Sequence, residues 1–364
     1  MTKKIRIAIL YNQPVTGDRE QKASYVNEKG KLQAGAQIRR GEKRTFQELI
    51  DLSEVGVVDE MDDIKEALNS IGYSTTTFNV DSDAFRLFDY LRNDRPDMIF
   101  NLVECLGNES IHEMHVAGVY ELLKIPYTGA GPTALGLALN KPRVKELLTH
   151  HGIRTPRFKA FGKSDKVAPG ELKFPLIVKP SGEDASVGID DRSVVYNPAE
   201  LRRRVQYIIE EFAQPALVEE YVNGRELNVA ILGSLTPVVL PISEIDFSGL
   251  TADMHKIVSY EAKWIQGTVA YEGTKGVCPA PLTTRQEADL KATALRCFGL
   301  IGCRDYARVD FRLSSSGVPY VLEVNPNPDI SADAGFARST RVYGLTYPES
   351  IGKIVESALE RTRV

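Results

Sequence analysis

Three times within residues 5–130, a short apolar run is followed by an amphipathic segment. The run IRIAIL comes first, and after a polar stretch VVDEMDDIKEALNSIGY has helical spacing and ends at Gly72, where a helix stop is expected. TTTFNV reads as strand, DAFRLFDYLRNDRPD as a helix stopped near Pro96, MIFNLVE as strand, and HEMHVAGVYELLKIPYTG as helix, turn and strand. Strands separated by helices in this order imply a parallel, doubly wound sheet. The polar stretch, about residues 13–54, is long for a loop; it reads as a lid, a dimer contact or a plain surface loop.

Pro132 opens a new unit. ALGLALNKPRVKELLTHHGI is helical by its apolar spacing, FPLIVKP is a strand, PAELRRRVQYIIEEF a helix and PALVEEYV a strand. Then NVAILG, VVLPISEI, YARVDFRLS and VPYVLEVNP read as longer alternating strands, with ATALRCFGLIG a helix between them. A parallel first part therefore gives way to two α+β parts, without repeats or heptads.

A net charge of −4 argues against a polyanionic partner such as nucleic acid. No apolar run approaches the roughly 20 residues that span a bilayer, and the N-terminus lacks a signal-peptide pattern, so a cytoplasmic protein with no membrane partner is expected. The four cysteines, Cys105, Cys278, Cys297 and Cys303, form no CxxC pair and read as reduced thiols rather than zinc ligands.

Chemistry concentrates in three stretches. In FPLIVKPSGEDASVGI a strand ends at Lys179-Pro180 and runs into a small-residue loop, 181–188. Backbone N–H groups of such a loop, with a lysine, can hold phosphate, although a plain strand–turn–strand with an exposed lysine would look the same. In ARVDF and LEVNP, a strand's period of two puts Arg308 with Asp310 and Glu323 with Asn325. Paired as a hairpin, they would gather two carboxylates, an amide and a guanidinium, a donor set suited to Mg²⁺. The apolar partners Val309, Phe311, Leu322 and Val324 would form the core face. In LVEEYVNGRELNVAILG, Glu219 and Tyr221 share a face, Gly224 makes a turn and Glu226 opens the next strand; alone, this is a surface hairpin.

Taken in order, IPYTGAGP, ALNKPRVKELL, FPLIVKPSGEDASVGI, VEEYVNGRELNVAILG, YEAKW, CRDYARVDFRL and VLEVNPNP resemble the D-alanine–D-alanine ligase branch of the ATP-grasp superfamily, over about residues 97–330. The resemblance implies an ATP-grasp fold of three domains: an N-terminal α/β domain at 1–132 with a doubly wound parallel sheet, then two α+β domains, 133–219 and 220–364, clasping ATP. It implies that Lys141, Lys179 and Lys263 contact phosphate, with Lys179 also near the adenine. Glu219 and the backbone of Val222 would meet the adenine edge beside Tyr221 and Leu322, and Glu226 would hold the ribose. Asp310, Glu323 and Asn325 would bind two Mg²⁺ ions (or Mn²⁺), while Arg308, Lys263 and Ser186 would act at the reacting group.

The implied reaction is ATP-dependent joining of a small carboxylate and an amine, amino acids above all, by a protein expected to form a homodimer. The chain departs from the family on the amino-acid side. The family's paired serines in the loop are Ala185-Ser186, the tyrosine after the YEAK lysine is Trp264, a glycine near the intermediate is Asp329, and a serine that holds the acceptor carboxylate is Ala334. A site built for hydrogen bonding rejects analogues that leave its groups unpaired, so the substrates are expected to differ from two D-alanines. D-alanine–D-alanine ligase itself, an ATP-dependent carboxylase and a nucleotide-binding regulator without catalysis remain the alternatives.

Overall fold

The computed structural model describes residues 4–12, 56–107 and 109–362; the polar stretch at 13–54 lies outside the described residues. Strands β1 (Arg6–Tyr11), β2 (Ser74–Asn79) and β3 (Met98–Leu102) form a parallel sheet in the order β2-β1-β3. Alternation along β1 sends Ile7 and Ile9 to one face and Ala8 and Leu10 to the other, and both faces are buried. Ala8 and Leu10 pack with Leu87 and Leu91 of helix Ala84–Asn93 and with Val116 and Tyr120 of helix Glu113–Leu122. Ile7 and Ile9 pack with Ile64 and Leu68 of helix Val57–Ser70 and with Ile351, Ile354 and Val355 of the last helix, Tyr347–Arg361. The C-terminal helix thus completes a face of the first sheet. The strand expected at IPYTG is reduced to one parallel bridge between Ile99 and Tyr127. Gly72 has φ +101° and follows helix Val57–Ser70; its N–H bonds the Asn69 carbonyl and the Tyr73 N–H bonds that of Leu68, which seals the helix end.

The single helix read across ALGLALNKPRVKELLTHHGI is two, Pro132–Ala138 and Lys141–His150. Asn140 accepts from the Arg143 N–H at 3.2 Å, and Pro142 has no N–H to continue an earlier helix, so a new helix starts there. β4 (Phe158–Phe161), β5 (Leu176–Pro180), β6 (Val194–Val195) and β7 (Ala216–Glu220) form an antiparallel sheet in the order β4-β7-β5-β6. Leu201, Val205 and Ile208 of helix Pro198–Phe212, at helical spacing, cover Leu176, Val178 and Val218.

A third sheet holds β8 (Gly224–Leu232), β9 (Val238–Val239), β10 (Ser243–Asp246), β11 (Lys275–Val277), β12 (Tyr306–Ser314) and β13 (Pro319–Asn325), in the order β11-β10-β8-β12-β13 with β9 also on β8. VVLPISEI is therefore not one strand: Pro241, which has no N–H for a ladder, separates β9 from β10. β7 and β8 belong to different sheets and do not form the surface hairpin that the sequence allowed. Gly224 is not a turn; it opens β8, and any side chain there would collide with the Leu313 carbonyl of β12. Leu290, Ala294, Cys297 and Phe298 of helix Thr284–Ile301 back this sheet against Leu227, Val229, Val309 and Phe311.

Candidate active site

The other face of the third sheet is polar because the same alternation that buries Leu227, Val309 and Phe311 turns Glu226, Asn228, Arg308, Asp310 and Arg312 away from the core. Arg308 pairs with Asn325 and Asp310 with Glu323 across β12 and β13. One register shift follows between Asp310 and Phe311, so that Phe311 pairs with Val321. This bulge changes the expected core. Val321 is fully buried beside Val324, while Leu322, the extra residue, leaves the core face and is only half-buried.

Asp310 is the hub. Its Oδ1 accepts from Arg308 Nε at 2.8 Å and Asn228 Nδ2 at 2.6 Å, and its Oδ2 from Arg308 Nη2 and Asn325 Nδ2, both at 2.9 Å. Asn325 also donates to Glu323 at 3.4 Å. Burial pushes both carboxyls up, but Lys141, Lys179 and Arg308 outweigh it at Glu323 and hold it below the usual carboxylate range. Asp310 ends above its ordinary value because burial and the facing Glu323 prevail over Arg308. The donor set of Asp310, Glu323 and the Asn325 amide oxygen fits a hard divalent cation. Arg312 ion-pairs with Glu226 at 3.0 Å and donates to the Gly224 carbonyl at 3.0 Å, which locks the start of β8.

Above this face, Lys141 at the start of helix Lys141–His150 donates to the Glu183 carbonyl and to Asp184 Oδ1, both at 2.5 Å, and lies 4.0 Å from Glu323 Oε2. It therefore ties the 181–188 loop to the carboxylate pair. Ala185, Ser186 and Gly188 have φ of +54°, +63° and +73°, a local fold that turns the loop sharply. The loop is fastened to the segment 258–264 by Ser186 Oγ, which donates to the Val258 carbonyl at 2.8 Å, and by Trp264 Nε1, which donates to the Ala185 carbonyl at 2.9 Å. Lys263 lies with its ammonium 4.6 Å from the Trp264 ring centre, beside the loop rather than in the carboxylate cluster.

Lys179 pairs with Glu219 Oε2 at 2.6 Å, and the other Glu219 oxygen pairs with Lys145. Tyr221 and Val222 sit in the link 221–223 between β7 and β8, and the Tyr221 hydroxyl donates to the Lys256 carbonyl at 3.3 Å. The sequence reading missed Lys145, Asn228 and Arg312. Lys145 lies four residues after Lys141 on the same helix face, and Arg312 continues the Arg308–Asp310 alternation, so both had a signal.

Lys145 and Glu219 are each 1% exposed at the side chain. Lys145→Met is expected to lower the unfolding free energy by about 3 kcal/mol, the lower end for breaking a buried pair because Glu219 keeps Lys179. Burial holds the Lys145 ammonium down at about 8 against the pull of Glu219. Between about 8 and the ordinary value of 10.5 the unfolded chain binds more protons, so stability from this group rises with pH there. Urea unfolding from pH 7.5 to 10 should show the gap between wild type and variant widening; a narrowing gap would mean that the pull of Glu219 outweighs burial at Lys145 and would contradict the lowered ammonium.

Residues 147–356 match the family model described as D-ala D-ala ligase C-terminus. An uncharacterized protein of Sinorhizobium fredii is 33% identical over 305 residues, covering 82% of this chain and 87% of its own. The D-alanine–D-alanine ligase of Bordetella pertussis is 33% identical over 249 residues, covering 68% and 74%. Among solved structures, D-alanine–D-alanine ligase from Bacillus anthracis complexed with ATP superposes with a TM-score of 0.70 at 20% identity over 99% of both chains, a likeness of fold. With a sequence match over more than half its length and this fold in common, the chain belongs to the D-alanine–D-alanine ligase family of ATP-grasp ligases.

Proposed function

We propose that this chain uses ATP and Mg²⁺ to activate a carboxylate as an acyl phosphate and couples it to an amine, with substrates other than two D-alanines. The observation that supports this most is the convergence of Asp310, Glu323, Asn325 and Arg308 on one sheet face, bridged by Lys141 to the loop 181–188. Asp310, Glu323 and Asn325 would hold the metal, which when bound neutralises phosphate charge.

Lys141 and Lys179 carry cationic charge to the phosphates, with Glu219 and Lys145 fixing the position of Lys179. The carboxylate oxygen attacks the γ-phosphorus, and the bond to the ADP oxygen breaks. The neutral amine then attacks the acyl carbon, the C–O bond to phosphate breaks with its electron pair leaving on phosphate, and the nitrogen loses a proton. Arg308 would stabilise the oxyanion that forms between these steps. The loop, fastened through Ser186 and Trp264, excludes the water that would hydrolyse the acyl phosphate.

The departures at Asp329 and Ala334 support a changed substrate. Asp329 accepts from the Ser331 N–H at 3.0 Å and stands near enough to Arg308 to influence it, and Ala334 starts helix Gly335–Tyr343 with no side-chain hydroxyl to offer. The test is phosphate release with Mg-ATP across pairs of D- and L-amino acids and simple amines. Release with one particular pair is the expected result. Release with D-alanine alone would restore the family's usual reaction, and nucleotide binding without release for any pair would favour a regulator.

A further inference from the structure

Helix Gly335–Tyr343 covers part of the polar face of the third sheet: Phe336 packs in one cluster with Ala230, Leu232 and Leu240, and Ala230 pairs with Arg308 in the ladder. The fourth residue of this helix, Arg338, reaches the same face. Its Nη1 donates to Ser243 Oγ at 3.3 Å, and its guanidinium lies against Gly276 of β11, where any Cβ would collide with it. Gly276 does not have a positive φ, so the close approach of Arg338, and not the backbone, is what calls for glycine there. The register locates this contact. Glu323 pairs with Asp310, Asp310 with Asn228 and Asn228 with Ser243, across β13, β12, β8 and β10. Residues directly opposite each other share a face. Neighbouring strands are about 4.8 Å apart, so Ser243 stands about 10 Å along this row from Asp310. Arg338 therefore closes the row that begins with the candidate metal ligands.

What singles out Arg338 is its missing counter-charge. Arg308 and Arg312 on the same face each hold a carboxylate, Asp310 and Glu226. Among the described residues Arg338 has no carboxylate in ion-pair contact, and Ser243 is the group that its donors engage. Arg338 is half-buried, and burial works against its charge and holds it below its ordinary range; Cys278 and Asp333 offset this only in part, and Arg341 adds to it. The Cys278 thiol, pushed up by burial, is neutral at physiological pH and brings no negative charge. A cation in the first turn of a helix also opposes the positive end of the helix dipole. A free surface arginine swings into water, whereas this one is laid on a glycine and tied to a fully buried serine. The planar fork of an arginine held in this way matches the two oxygens of a carboxylate.

Resting on the ligase reading above, we propose that Arg338 determines the choice of amine substrate by binding its carboxylate, so that the amine partner is an amino acid and not a simple amine. With the candidate metal ligands at one end of the row and Arg338 at the other, the span of about 10 Å leaves room for an acyl phosphate followed by a small amino acid. Ala334, at the start of the same helix, offers no hydroxyl to such a carboxylate. Arg338, one turn further on, supplies charge and two donors from a longer side chain.

The test begins with phosphate release from Mg-ATP by the full chain across pairs of D- and L-amino acids and simple amines, and tandem mass spectrometry of the product identifies the amine partner of the active pair. That partner is then compared with its carboxamide, which keeps the amine and loses the anion. The acid is expected to be used at least about tenfold better in kcat/KM, mostly through KM. Arg338→Met should bring acid and amide within about threefold of each other with the KM for ATP little changed, and Arg338→Lys, which keeps the charge without the fork, should fall between. An active pair whose amine partner has no anionic group, a carboxamide used as well as the acid, or an acid preference that survives Arg338→Met would overturn the proposal. If Arg338→Met does not fold, Arg338→Gln, a polar replacement for a half-buried side chain, takes its place in the comparison. Absence of release for every pair would instead bring down the ligase reading.

Discussion

Glu323→Gln is expected to reduce ATP-dependent phosphate release by about 10³-fold while the protein stays folded. Glutamine keeps the shape and removes the charge. Glu323 sits opposite Asp310 with Lys141 at 4.0 Å, and the surrounding cations hold it ionised through the physiological range. On the ligase reading that charge, beside Asp310, would meet the metal and the transferring phosphoryl group. The stability change should be small, within about 1 kcal/mol, because Glu323 is half-buried and the hydrogen bond it accepts from Asn325, at 3.4 Å, is long. Circular dichroism and the urea midpoint check the fold, and a coupled assay checks phosphate release. Near-normal release from a folded variant would overturn the assignment of the metal ligands. Asp310→Asn is the poorer test, since it would also strand Arg308, both arms of which bind Asp310.

The pattern that leads to Glu323 was legible in the sequence because it is local. Two strands with period-two alternation, ARVDF and LEVNP, each display their polar pair, and the antiparallel register puts the pairs together. The parallel first sheet was legible for the same reason, from the order of strands and helices. The bulge that removes Leu322 from the core was not, because one extra residue leaves no mark on an alternating pattern. The break at Asn140–Pro142 was readable only by giving the cap priority over apolar spacing. A small cavity joins Glu60, Glu104, Glu113 and Asp329, residues up to 269 positions apart, and no local period relates them. Likewise, nothing near residue 351 indicates that the last helix covers the first sheet; that follows only from closing the chain on itself.

Arg308→Lys is expected to lower turnover by about 10²–10³-fold with the KM for ATP little changed. The lysine keeps the charge but not the planar fork that binds both Asp310 oxygens at 2.8 and 2.9 Å. Burial works against the Arg308 charge, but Asp310 and Glu323 overcome it, so the guanidinium stays ionised in a site where a misplaced cation cannot be replaced by water. The loss should fall on kcat because the oxyanion exists only after the substrates are bound. Arg308→Met separates the two roles of the residue. It leaves the buried Asp310 with only the amides of Asn228 and Asn325, and should cost about 3 kcal/mol of stability in addition to the lost rate. If Arg308→Lys turned over at the wild-type rate while Arg308→Met lost stability, the guanidinium would serve only to position Asp310, and the stabiliser of the oxyanion would have to be sought among Lys141, Lys179 and Lys263.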